Sequence, residues 1–114
     1  MNIEKFKKKP KLTKITIDDA EIIQEYGEAI DFWLYDTVDI NTYFDFYRSQ
    51  QEHNGEELNA LLRRLILKQD GKTVLAEDEM LPVDISLAAL MRINEFLGKS
   101  RTKSSTQTTG DQQQ

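Results

Sequence analysis

The chain has no cysteine, which excludes disulfides and thiolate metal sites and suits a reducing compartment. It has a single histidine, His53, so any metal site would be built mostly from carboxylates. The acidic run Glu77–Glu79 lacks the glycine and ligand periodicity of a calcium loop and reads as a solvated loop. No apolar run approaches the roughly 20 residues that span a bilayer. The N-terminus "MNIEKFKKKPKL" is basic but lacks the apolar segment of a secretory signal. These absences predict a soluble intracellular protein. No serine sits in a G-x-S-x-G elbow. The stretch "DGKT" over 70–73 ends like a phosphate loop, but Ile66 stands where that loop needs its first glycine. With no triad, metal set or cofactor loop, the expectation is a protein that is not an enzyme. No catalytic, cofactor-binding or metal-binding residues are predicted.

What is present is charge, unevenly placed. Residues 1–14 carry six lysines against Glu4, whereas residues 15–98 carry six basic and eighteen acidic side chains. A domain this acidic makes nucleic acid an unfavoured partner, because phosphate binding needs basic surface. Only the lysine arm suits nucleic acid or an acidic protein surface.

At 114 residues the chain holds one modest core. Pro10 and the lysines predict a basic flexible arm over 1–15. The polar "RTKSSTQTTGDQQQ" buries too little to offset chain entropy and predicts a disordered tail over 99–114. A helical domain over 16–98 lies between them. Thr16 with Asp18-Asp19 reads as a helix start, and Gly27 as its left-handed cap. Residues 28–36 fit a strand or a helix. As a strand, Ile30, Phe32 and Leu34 face one way and Trp33 and Tyr35 the other. Asp39 is an N-cap for "INTYFDFYRSQQ", in which Ile40, Tyr43, Phe44 and Tyr47 form one apolar stripe. Asn54-Gly55 is a turn, followed by a helix with Leu58, Leu61, Leu62 and Leu65. Over 64–76 a helix ending near Leu67 competes with a short β-hairpin turning at Asp70-Gly71. Pro82 and Asp84 open a last helix, closed at Gly98. The fold class is mainly α: a small bundle of about four short helices, with that hairpin as the alternative.

The stretch "DFWLYDTVDINTYFDFY" holds seven of the chain's ten aromatic residues. Most suit a core. Phe46 lies off its helix stripe, Trp33 faces away from Phe32 on a strand, and Leu87 and Met91 widen the apolar face of the last helix. A small domain has little room to bury two-faced elements, so Trp33, Phe46, Leu87 and Met91 are the candidate partner-binding residues. The same patch would also serve self-association into a homo-oligomer.

The run "LNALLRRLILKQDGKTVLAEDEMLP", the helix ending "NEFLGKS", and the upstream "DDAEIIQEYGEAIDFWLYD" and "YFDFYR" together resemble the tail assembly chaperones of tailed bacteriophages. The resemblance covers about residues 15–100 and rests on segment order and the Asp70-Gly71 turn. It implies a small, acidic, mainly helical, non-catalytic protein of the host bacterial cytoplasm. Its client would be the tape measure protein, a long helical chain that aggregates unless coated. It implies absence from the mature virion. In many such phages a frameshift near the end of the gene adds a C-terminal extension that recruits tail tube protein. Here "GKS" at Gly98–Ser100 would be the place for it. Two rival classes remain: a structural virion component such as a head–tail connector subunit, and a small regulatory protein using the lysine arm on nucleic acid.

Overall fold

The computed structural model describes the backbone over residues 2–105 and side chains over 2–98. A 3-10 turn at Ile3–Phe6 leads to β1 (Leu12–Ile17), α1 (Ala20–Tyr26), β2 (Ile30–Tyr35), α2 (Ile40–Gln51), α3 (Gly55–Leu65) and α4 (Val83–Ser105). The fold is four helices around one antiparallel strand pair.

The sheet departs from the expectation in place. It is formed by β1 with β2, not by a hairpin at Asp70-Gly71. The segment expected to be an arm running into a helix start is a strand from Leu12 onward. Thr13, Ile15, Thr16 and Ile17 are β-branched and fit a pleated, half-buried surface. The register sets Thr13 opposite Leu34, Ile15 opposite Phe32 and Ile17 opposite Ile30, which makes one inner face. Ile17, Phe32 and Leu34 on that face are buried. The ambiguity over 28–36 thus resolves to the strand, because only period two places Phe32 and Leu34 together on Ile15 and Ile17. Lys14, Trp33 and Tyr35 lie on the outer face.

After α3 ends at Leu65, Leu67 exchanges both backbone hydrogen bonds with Trp33, at 2.9 and 2.8 Å. Leu67 also bridges Thr73 across a tight turn in which Gly71 takes φ +86°. The Asp70-Gly71 turn is therefore real, but it closes over a single bridge and does not build two strands.

Asp39 and Asn54 cap α2 and α3, accepting from Thr42 N–H and Glu57 N–H at 3.1 Å each. Between these helices His53 takes φ +54°, and Asn54 N–H donates to Ser49 C=O at 2.9 Å, which closes a Schellman turn. Gly27 caps α1 at φ +88°. Asp19 stands at the N-cap of α1 but makes no side-chain cap bond there. Its carboxylate and that of Asp18 accept from Arg92 of α4 instead. At the other end of α1, Tyr26 Oη donates to both carboxylate oxygens of Asp84 at 2.9 Å. That acceptor holds the Tyr26 phenol above its ordinary pKa. The two ties run α1 antiparallel to α4, whose Ala88, Ala89 and Ile93 are buried in the core.

Two expected boundaries move. The helix does not close at Gly98: α4 continues to Ser105, so residues 99–105 are helical and not a tail. Nothing crowds Gly98, and no break signal follows it until Gly110. Residues 106–114 of the expected tail lie outside the described residues. At the other end the lysine segment is pinned to β2. Asp36 accepts from Lys11 N–H at 2.9 Å and pairs with Lys8 at 3.4 Å.

An L residue in the left-handed region costs about 1–2 kcal/mol, against about 0.5–1 kcal/mol for the extra backbone entropy of glycine. His53→Gly should therefore raise unfolding free energy by about 0.5–1 kcal/mol in urea titrations. The Lys11 N–H bond, with Lys8 adding attraction, holds the Asp36 carboxyl below the usual carboxylate range against its desolvation. A depressed folded pKa contributes stability that is complete above the unfolded value and is lost as pH falls through the folded one. The stability gap between the natural chain and Asp36→Asn should be constant at neutral pH and shrink below about pH 4. A gap that grows on acidification contradicts the assignment.

Candidate protein-binding surface

The rotation of α2 decides which apolar groups face solvent. Phe46 is 2% exposed and Ser49 fully buried, so the helix sits on the face running through Tyr43, Phe46 and Ser49. Phe46 is therefore a core residue and not an exposed candidate. The reason lies in the neighbours. Ser49 is small enough to let the helix approach, and its hydroxyl is satisfied by the Asp45 carbonyl. Polar contacts then fix the angle. Thr42 accepts from Arg64 of α3 at 3.2 Å. Gln50 and Asn94 of α4 exchange amide hydrogen bonds at 3.1 and 2.7 Å. Arg48 pairs with Glu57 at 2.7 Å.

This setting turns the strongest apolar pattern of the helix outward. Ile40, Phe44 and Tyr47 are 66%, 55% and 51% exposed. Their spacing of i, i+4 and i+7 is that of a helix seam. Each such side chain forgoes part of the roughly 1.5–3 kcal/mol that full burial of a large apolar side chain contributes. Sequence periodicity identified this stripe but assigned it to the core. What it lacked was the tertiary set of polar ties that rotates the helix.

The other candidates divide. Leu87 and Met91 are 55% and 62% exposed, because α4 buries Ala88, Ala89 and Ile93 instead. Leu87 borders an apolar groove of about 250 Å³ between α3 and the start of α4, floored by Leu58, Leu62 and Leu90. Met80 and Val83 stand exposed on its rim. Trp33 is half-buried on the outer sheet face, with its backbone committed to Leu67. The structure thus does not gather the four candidates. It pairs Leu87 with Met91, holds Trp33 on the sheet, and puts Phe46 inside. The surface that periodicity did not foresee is Ile40, Phe44 and Tyr47.

Among the described residues no group of three or more His, Asp or Glu side chains is placed to hold a metal ion. Among the described residues no helix is long and apolar enough to cross a membrane. The surface offers exposed apolar side chains on α2 and α4.

The burial assignments separate by stability. Phe46→Ala should cost about 3–5 kcal/mol in chemical denaturation. Phe44→Ser should stay within about 0.5 kcal/mol of the natural chain. The reverse order would mean that α2 is rotated the other way. No family model, curated protein or solved structure matches the chain, so the surface stands on its own geometry.

Proposed function

We propose that the protein is a non-enzymatic assembly chaperone that covers apolar helical segments of a long client, the phage tape measure protein, during tail morphogenesis. One observation carries the reading: α2 keeps its best apolar stripe, Ile40, Phe44 and Tyr47, out of the core and in solvent. A second apolar surface at Leu87 and Met91 on α4 offers another seat for a client helix. Client helices would lie along these faces as an amphipathic helix lies in a groove. The net negative charge of the domain keeps coated segments apart and the complex soluble. The order of segments from "DDAEIIQEY" to "NEFLGKS" supports the tail-chaperone assignment by resemblance. In this reading the protein works in the host bacterial cytoplasm and is left out of the finished particle. A frameshifted extension beyond Gly98–Ser100 would bring tail tube protein to the coated client.

The test is co-expression with the long coiled-coil-rich protein encoded just downstream in the same genome, read by solubility and pull-down. The natural chain should render that protein soluble and co-purify with it. The combined Ile40→Ser, Phe44→Ser and Tyr47→Ser variant should stay folded by circular dichroism and lose both effects. If the natural chain changes neither solubility nor recovery of the client, the chaperone reading is wrong. Recovery of the protein from purified particles would favour a structural virion component instead.

A further inference from the structure

The sheet has two strands, and the outer edge of β1 pairs with no strand among the described residues. Which of its backbone groups are unpaired follows from parity. Trp33 spends its N–H and C=O on Leu67, on the side of β2 away from β1. Lys14, directly opposite Trp33, is therefore in a non-hydrogen-bonded pair, and its own N–H and C=O point away from β2. The same holds for Leu12 opposite Tyr35 and Thr16 opposite Asp31. The intervening residues face inward, in keeping with the Asp36 N–H that donates to Lys11 C=O at 3.0 Å. Three alternate residues thus offer a ready ladder for one more strand.

The charge beside that ladder is mainly positive, although the Asp31 carboxylate accepts from Thr16 Oγ1 at 2.8 Å. Of the lysines in the segment, Lys8 pairs with Asp36 and Lys14 makes a 3.7 Å contact with Asp31. Lys5, Lys7, Lys9 and Lys11 have no ion-pair partner among the described residues, although the folded domain is strongly acidic. A second copy is a poor occupant. The antiparallel register that uses the whole edge sets the two Lys14 side chains directly opposite each other, and like charges there repel.

From these observations we infer that the β1 edge and the lysine segment before it form a docking site for an acidic, extended segment of another protein, added as a third strand. Pairing gives the affinity, and side chains at alternate positions give the selectivity. The occupant should carry an apolar residue beside Leu12, Asp or Glu beside Lys14, and a small polar residue beside Thr16. Further acidic residues would lie along the lysines. The inference does not depend on the chaperone reading, because neither α2 nor α4 takes part.

The probe is a synthetic peptide alternating Thr or Val with Glu, with a scrambled peptide rich in Pro and Gly of equal charge as control. The readout is residue-resolved amide hydrogen exchange. In the free protein the amides of Leu12, Lys14 and Thr16 should exchange fast and those of Thr13, Ile15 and Ile17 slowly. At saturation with the alternating peptide the first set should slow by about tenfold or more, the control having no effect. Lys14→Glu, an exposed position, should weaken binding about tenfold, and raised salt should weaken it further. Replacing Lys5, Lys7, Lys9 and Lys11 by Ser should do likewise without altering the fold. Three results would overturn the proposal. They are peptide binding that leaves those three amides fast, slow exchange of them in a self-associated free protein, and a single-stranded oligonucleotide binding the lysines where the peptide does not.

Discussion

A helix has one rotation, and on α2 that rotation is set by burying Phe46 beside Ser49. Everything exposed on the helix follows from it. The Thr42–Arg64 and Gln50–Asn94 contacts lock the angle from two sides, through α3 and α4. Ile40, Phe44 and Tyr47 then have nowhere to go but outward. A core of this size cannot take both faces of the helix. The domain keeps the face with fewer apolar groups and leaves the richer one in solvent. That is costly for an isolated molecule and useful for one that works by covering another.

The same division recurs on α4. Ala88, Ala89 and Ile93 give a narrow, small-residue face that packs closely on the sheet, while Leu87 and Met91 stay outside. Electrostatics serves the packing here. Arg92 reaches across to Asp18 and Asp19, and Tyr26 reaches across to Asp84, so the short helix α1 is held at both ends. Acidic residues that would ordinarily cap a helix are diverted to a tertiary task. These ties engage only a few of the domain's eighteen acidic side chains, so it stays strongly acidic.

Much of this architecture is legible in the sequence, and the failures have a common cause. Capping signals were sound at Asp39 and Gly27, whereas Asn54, read as part of a turn, also caps α3. Turn chemistry at Asp70-Gly71 was sound as well. Leu87 and Met91, which widen the apolar face of α4, stand exposed because Ala88, Ala89 and Ile93 take the core side. What could not be read was anything decided by contacts distant in sequence. The strand from Leu12 needs Phe32 and Leu34 as partners before its alternation means anything, and without them the lysines dominate the reading. The choice between Phe46 and the Ile40 stripe depends on Arg64 and Asn94, well outside any local window. Gly98 looked like a stop because glycine often is one, yet nothing in its surroundings requires a turn.

The continuation of α4 through Gly98 to Ser105 has a mechanical consequence. From Gly98 to the end of the helix the axis advances roughly 10 Å at about 1.5 Å per residue. Ser105 thus stands at the end of a rod whose direction is fixed by the same helix that carries Leu87 and Met91. Distance and bearing between the apolar face and Ser105 are thereby set in advance, in the way a jib sets where its hook hangs.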